Sequence, residues 1–139
     1  VMPGFSANER AEMQAACDEI CDRTDGKYCP ILLDDEWINT IRKSSSIKEN
    51  GVDVLGRADI HRSRFSAHIE ILMLDSMPSN EFGKVFRHEL GHAGGCRHDM
   101  LNVGNLESHG TGNQPDTWTE TDLECIDGNY DNSQSRFDE

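Results

Sequence analysis

His-Glu-Leu-Gly-His, residues 88–92, lies within the stretch RHELGHAGGCRHD, residues 87–99, around which the rest of the chain is organised. The full pattern is H-E-x-x-H-x-x-G-x-x-H, with histidines at His88, His92 and His98. Residues four apart lie on one face of an α-helix, so the imidazoles of His88 and His92 can reach the same ion. Glu89 lies about 100° around the helix from His88, so its carboxylate can lean over that ion without binding it.

Two glycines follow the paired histidines. Gly94 and Gly95 predict a sharp left-handed turn at the end of the helix, which would bring His98 back as a third ligand. Three histidines on zinc leave a fourth position for water, which is the arrangement of a catalytic site. The alternatives are a surface helix with solvated histidines and a structural zinc site. A structural site favours a fourth protein ligand over an adjacent glutamate.

These residues carry a resemblance to a known family. The motif from His88 to His98 resembles that of the metzincin zinc endopeptidases. Asp99, directly after it, resembles the adamalysin branch, and the short chain is similar to the snapalysin-type members. The specific resemblance covers residues 55–99, with a looser likeness near the C-terminus.

The resemblance implies a fold of the α+β class, with one catalytic domain over residues 1–139. A small twisted mixed sheet is expected, together with an active-site helix and a C-terminal helix. The zinc ion is expected in a cleft between an upper part, residues 1–95, and a lower part, residues 96–139.

The chain departs from the family pattern after the third histidine. Metzincins place a methionine in a tight turn beneath the zinc, whereas the only later methionine here is Met100, two residues after His98. We expect a degenerate turn at Leu106, with Met100 as the less favoured candidate. Tyr130 lies too far downstream for the tyrosine ligand of some metzincins, so no further protein ligand is predicted.

The activity implied is that of a zinc-dependent endopeptidase acting on a peptide or protein substrate. Zinc on His88, His92 and His98 would lower the pKa of its bound water toward about 7. Glu89 would take the proton as general base and pass it to the leaving amine. The alternatives are a zinc-binding effector of the same fold without turnover, and a metal-dependent hydrolase of a non-protein amide.

The charge and hydropathy of the chain limit the kinds of molecule that we expect it to bind. The formal net charge of -13 and a pI near 4.7 argue against nucleic acid and anionic membranes, which select basic surfaces. No apolar run approaches the roughly 20 residues of a transmembrane helix. The chain opens with Val1 and carries no signal peptide, which is compatible with a processed protein. We expect a secreted, extracellular monomer.

Five cysteines suit a small secreted domain with one or two disulfides, and one cysteine must stay unpaired or pair outside the chain. The sequence leaves the connectivity open. The spacing of Cys17 and Cys21 could indicate a second metal site. The favoured interpretation is that both are simply half-buried residues one helical turn apart. His61, His68 and His109 are interpreted as surface histidines.

Local patterns predict the remaining elements. Ser6 and Glu9 form a capping box that opens a helix over residues 7–22, and a strand is predicted over residues 29–33. A turn or short helix is expected over residues 37–41, and a polar loop over residues 44–51.

Two further strands are predicted over residues 52–56 and 67–73. In metzincins a strand just before the active-site helix forms the sheet edge along which substrate lies, and residues 67–73 resemble it. The alternative is an ordinary internal strand. The active-site helix is predicted over residues 80–93, capped by Ser79 or Asn80, with a last helix from Thr119 through Ile126 and a polar tail from Asp127.

Overall fold

A computed structural model describes residues 1–34, 38–62, 67–97 and 117–130. These residues form three helices and a small mixed sheet, which confirms the α+β class. The helices are α1 (Ala7–Arg23), α2 (Ser79–Ala93) and α3 (Glu120–Tyr130). The strands are β1 (Thr40–Ser44), β2 (Lys48–Glu49), β3 (Val52–Asp53), β4 (Gly56–Arg62) and β5 (Ala67–Leu74).

Helix α1 begins at the predicted capping box. The backbone N–H of Glu9 donates to Ser6 Oγ at 3.1 Å, and the backbone N–H of Ser6 donates to Glu9 Oε1 at 2.8 Å. One helical face is fully buried and forms part of the core: Met13, Ala16, Cys17 and Ile20. The prediction of this helix is confirmed.

The main sheet has the order β1-β5-β4, with β5 parallel to β1 and antiparallel to β4. Strand β5 is therefore an internal strand among the described residues, which was the alternative prediction, and it does not form the sheet edge. The side chains explain the order. Ile71, Leu72 and Met73 of β5 are buried, as a central strand requires. Strand β4 carries Arg57 and Asp59, and charged side chains are typical of an edge strand.

The N-terminal half of the sheet differs from prediction in two places. Residues 29–33 form no strand, and Ile31 and Leu33 are 80% and 48% exposed, because no described strand pairs with them. Ile41 lies in β1 rather than in a turn or short helix. The backbone N–H and C=O groups of a strand need hydrogen-bond partners on a neighbouring strand. Strand β1 finds these partners on β5, whereas residues 29–33 pair with no described strand.

A small hairpin occupies part of the predicted polar loop. Strands β2 and β3 pair antiparallel across Asn50 and Gly51, whose φ angles are +52° and +79°. Asn-Gly in this conformation is the signature of a tight hairpin turn. The strand predicted over residues 52–56 is therefore split, with its last residue, Gly56, opening β4.

Packing against α1 and the sheet fixes the orientation of α2. Its apolar face carries Phe82, Val85, Phe86 and Leu90, all buried against α1 and the sheet, as expected. Pro78 occupies the N-cap position without a side-chain hydrogen bond, so the caps predicted at Ser79 or Asn80 were wrong. Proline has no side-chain acceptor for the first N–H groups of the helix, and the backbone N–H of Glu81 donates to the Pro78 carbonyl oxygen at 3.0 Å.

Helix α3 begins at Glu120 and is capped by the preceding residue, Thr119. The side chain of Asp122 accepts a hydrogen bond from the backbone N–H of Thr119 at 2.7 Å. The helix continues to Tyr130, so residues 127–130, predicted as part of a loose tail, are helical. Arg23 of α1 donates to the carbonyl oxygen of Trp118 at 2.5 Å, and the indole of Trp118 is buried in the core.

Two disulfides join Cys21 to Cys29 and Cys96 to Cys125, while Cys17 is a buried free thiol. The expectation of one or two disulfides is confirmed. Because the sulfur of Cys21 is bonded to Cys29, a metal site on Cys17 and Cys21 is excluded. The second disulfide ties the turn after α2 to α3.

Candidate metal centre

His88 and His92 lie one turn apart on α2, and their Nε2 atoms are 3.0 Å from each other. The ring centroids are 4.6 Å apart and the planes nearly perpendicular, at 87°. Two nitrogens bound to one tetrahedral zinc at about 2.0–2.1 Å would be about 3.3 Å apart. The two imidazoles therefore converge on one point, and this donor pair fits a zinc ion with a shift of a few tenths of an ångström.

A backbone carbonyl orients His92. Nδ1 of His92 lies 2.7 Å from the carbonyl oxygen of Cys96. A carbonyl can only accept, so Nδ1 carries the hydrogen and Nε2 presents its lone pair to the ion. Hydrogen bonds of this kind commonly fix the tautomer of metal-binding histidines.

Cys96 is itself held from two sides. Its backbone N–H donates to the carbonyl oxygen of Gly91 at 3.1 Å, and its sulfur is bonded to Cys125. Sequence analysis missed the role of its carbonyl. The spacing of four residues between His92 and Cys96 was visible, but a backbone hydrogen bond depends on the turn geometry and not on the residue type.

Glu89 projects toward the same place and is 4% exposed. Burial, followed by the charges of Glu49 and Asp59, raises the pKa of Glu89 to about 8. Its Oε2 atom is buried and has no hydrogen-bond partner among the residues that the structure describes. A desolvated carboxyl beside two imidazoles, with a pKa near neutrality, has the properties of a general base or acid.

The turn after α2 follows the prediction. Gly95 has a φ of +93°, in the region that glycine adopts without strain. A Cβ on Gly95 would lie 2.8 Å from Nδ2 of Asn129, which donates to the carbonyl oxygen of Gly94 at 2.8 Å. The backbone conformation therefore favours glycine here, and a larger residue would also displace the Asn129 side chain.

Several predicted features lie outside the described residues. They are the third histidine, His98, the following Asp99, the proposed turn at Met100 or Leu106, and His109. Helix α2 brings together His88, Glu89 and His92. Metal binding by His98 remains a prediction.

Glu89 and His92 line a cleft of about 370 Å³. Edge strand β4 forms one wall and the turn after α2 forms another. The lining residues are Glu49, Arg57, Ala58, Ile60, Glu89, His92, Gly95, Cys96 and Arg97. The backbone edge of β4 therefore borders the same space as the side chains of Glu89 and His92.

Gly56, the first residue of β4, allows the sheet to approach α2 closely. A Cβ on Gly56 would lie 2.7 Å from Cγ1 of Val85 and 3.1 Å from Cγ of Glu89. The approach packs the stem of Glu89 against the sheet and removes its carboxyl from solvent. Sequence analysis did not identify Gly56 as part of the site.

His61 and His68 lie elsewhere, on β4 and β5, as exposed side chains whose rings stack with centroids 4.6 Å apart. Within the described ranges, no helix is both long and apolar enough to cross a membrane. Comparison of the chain with protein-family models, with curated proteins and with solved structures found no match.

Proposed function

We propose that this protein is a zinc-dependent endopeptidase of the metzincin type. In this proposal His88, His92 and His98 hold the ion, and Glu89 is the general base. The observation that carries it is the juxtaposition on α2 of two converging Nε2 atoms, 3.0 Å apart, with a buried carboxyl of raised pKa.

The donor set supports zinc. Imidazole nitrogens suit zinc among the abundant biological cations, whereas magnesium and calcium favour oxygen ligands. The two nitrogens already stand close to the separation that a tetrahedral ion requires. Bound zinc would supply a water of lowered pKa and polarise the carbonyl of the scissile bond.

The contribution of Glu89 follows from its environment. A carboxylate in a dry site is a stronger base than one in water, because burial disfavours its charged form. Glu89 would take a proton from the attacking water and return it to the leaving amine. The Nδ1 hydrogen of His92 is engaged by the carbonyl oxygen of Cys96, which would leave Nε2 to bind the ion.

An extended peptide is the substrate that the cleft suits best. Among the strands that the structure describes, β4 pairs only with β5, so its other edge offers backbone groups to a further strand. That edge borders the cleft with Glu89 and His92. A peptide added to β4 by β-augmentation would place its backbone beside these side chains.

The two disulfides support the extracellular part of the proposal, because such bonds persist mainly in oxidising compartments. The acidic surface supports a soluble peptidase that does not depend on nucleic acid or anionic lipid.

The deciding experiment is digestion of casein and gelatin by the purified protein. We expect cleavage that a zinc chelator abolishes and added Zn²⁺ restores. His92→Ala should lose both the ion and the activity. A zinc-loaded, folded protein that cleaves neither substrate would contradict the endopeptidase and leave a zinc-binding protein or a hydrolase of another amide.

A further inference from the structure

Four potential metal ligands share one face of the β4–β5 ladder. The strand register places Asp59 opposite Glu70 and His61 opposite His68. Residues two apart on a strand point to the same face, so all four side chains project together. The other face of the same strands carries Ala58, Ile69, Ile71 and Met73, which pack in the core with α2.

This cluster therefore lies on the opposite face of the sheet from His88 and His92, although Asp59 is near enough for its charge to act on Glu89. The sheet itself lies between them, with the paired histidines of α2 on the core side. Ligand atoms of Asp59, His61 and Glu70 all lie within 4.8 Å of one another. His68 stacks on His61, with centroids 4.6 Å apart and planes at 19°. Its exposed side chain would have to rotate to bring a ring nitrogen to the group.

Both carboxylates are oriented by arginines. Nε and Nη2 of Arg57 donate to Asp59 at distances of 2.8–3.0 Å, and Nε of Arg42 donates to Oε2 of Glu70 at 3.0 Å. A carboxylate offers about four lone-pair positions, so these bonds leave acceptors on each group. Metal-binding carboxylates are commonly held by hydrogen bonds of this kind.

Asp59 and Glu70 are two acidic residues directly opposite each other on neighbouring strands. Like charges directly opposite each other on an antiparallel ladder are destabilising. The two arginines offset the repulsion from the outer sides of the pair. A cation bound between the carboxylates of Asp59 and Glu70 would offset the repulsion directly, and a ligand atom of His61 lies within 4.8 Å of both.

We propose that Asp59, His61, Glu70 and His68 form a second metal site, which binds one Zn²⁺ and joins edge strand β4 to β5. Two imidazole nitrogens and two carboxylate oxygens make four protein ligands, the number that completes a tetrahedral zinc site, and all four are donor types that zinc accepts. Such an ion stabilises the edge strand that borders the cleft. Zinc binding at this second site does not depend on whether the protein is a peptidase.

Zinc stoichiometry tests the proposal. Chelated protein is titrated with Zn²⁺ and its tightly bound metal is measured by elemental analysis after dialysis. We expect two equivalents in the wild type, one in His88→Ala/His92→Ala, and none when His61→Ala is added to that pair. Loss of a ligand should weaken binding by more than the roughly 10–100-fold typical of an outer-shell partner. Glu124→Gln, which removes an exposed acidic side chain of α3 but no ligand, should leave both equivalents.

A second measurement does not depend on substituting the cluster. Zn²⁺ is added to His88→Ala/His92→Ala while NMR follows the imidazole ring protons, and those of His61 and His68 should shift together at one equivalent. Failure of this variant to bind zinc, or retention of its zinc after His61→Ala, overturns the second site. One equivalent held by the wild type and lost with His61→Ala would instead support the second site and contradict zinc at His88 and His92.

Discussion

The carbonyl oxygen of Cys96 accepts a hydrogen bond from Nδ1 of His92 at 2.7 Å, so a disulfide-bonded residue determines which nitrogen that histidine presents. The disulfide partner, Cys125, lies on α3. The orientation of His92 thus depends on the docking of the last described helix. This link between a remote covalent bond and the proposed zinc site leads to the first prediction.

Removal of the disulfide by Cys96→Ser/Cys125→Ser should weaken zinc binding by roughly 10–100-fold, because the carbonyl that orients His92 loses its anchor. Cys21→Ser/Cys29→Ser is the matched control and should leave zinc affinity unchanged. The loops closed span 29 and 8 residues. Loop entropy then predicts losses of about 3.6 and about 2.5 kcal/mol in the free energy of unfolding. Equal zinc affinities in the two variants would refute the role assigned to Cys96.

Glu89→Gln should keep zinc and lower kcat for casein cleavage by roughly 10²–10⁴-fold, since the change removes the proton acceptor alone. Zinc content is measured on the same preparation as activity. Glu124→Gln removes an exposed glutamate of α3 and should be indistinguishable from the wild type. Wild-type activity in Glu89→Gln would rule out Glu89 as the general base.

The raised pKa of Glu89 predicts how the stability of the metal-free protein depends on pH. Its ordinary value is 4.5 and burial raises it to about 8, so between these values the folded state holds a proton that the unfolded chain has released. The free energy of unfolding should therefore fall as the pH rises from about 4.5 to about 8, by on the order of a few kcal/mol.

Urea unfolding of the chelated protein at about pH 5 and about pH 8 measures this fall. Glu89→Gln cannot ionise and should show a smaller fall. Zinc should also reduce it in the wild type, because a nearby positive charge lowers the pKa of a carboxyl. The same slope in wild type and Glu89→Gln would show that Glu89 does not titrate in this range.

Gly56→Ala should destabilise the fold by about 1–3 kcal/mol, the usual cost of overpacking a close contact. Its new methyl group would meet Val85 and Glu89 at 2.7 and 3.1 Å, so peptidase activity should fall as Glu89 is displaced. The control is Gly128→Ala in α3, where nothing lies within 4 Å of the new methyl group. That change should be neutral or stabilising by up to about 1 kcal/mol. Thermal unfolding and kcat are measured for both, and a neutral Gly56→Ala would contradict the close packing.

Strong local patterns explain why the helices were predictable. The capping box at Ser6 and the spacing of Phe82, Val85 and Phe86 depend only on residues within one or two turns. The same locality placed His88, Glu89 and His92 on one helix. Nothing beyond the helical period is needed to bring them together.

Features set by distant partners were not predictable in this way. The place of β5 inside the sheet depends on β1, and the apolar residues 29–33 lack a described partner strand although their composition favours one. The burial of Glu89 depends on the approach of Gly56, more than thirty positions earlier. The register that gathers Asp59, His61, Glu70 and His68 follows from strand pairing, which composition alone does not define.

The bond between Cys96 and Cys125 closes a covalent ring through the backbone of residues 96–125. A single cut anywhere inside that ring leaves both pieces attached to each other. A peptidase that nicked itself there would keep its intact size on a non-reducing gel, with a mass higher by one water. Only reduction would release the fragment that ends at Glu139, so self-cleavage must be sought on reducing gels.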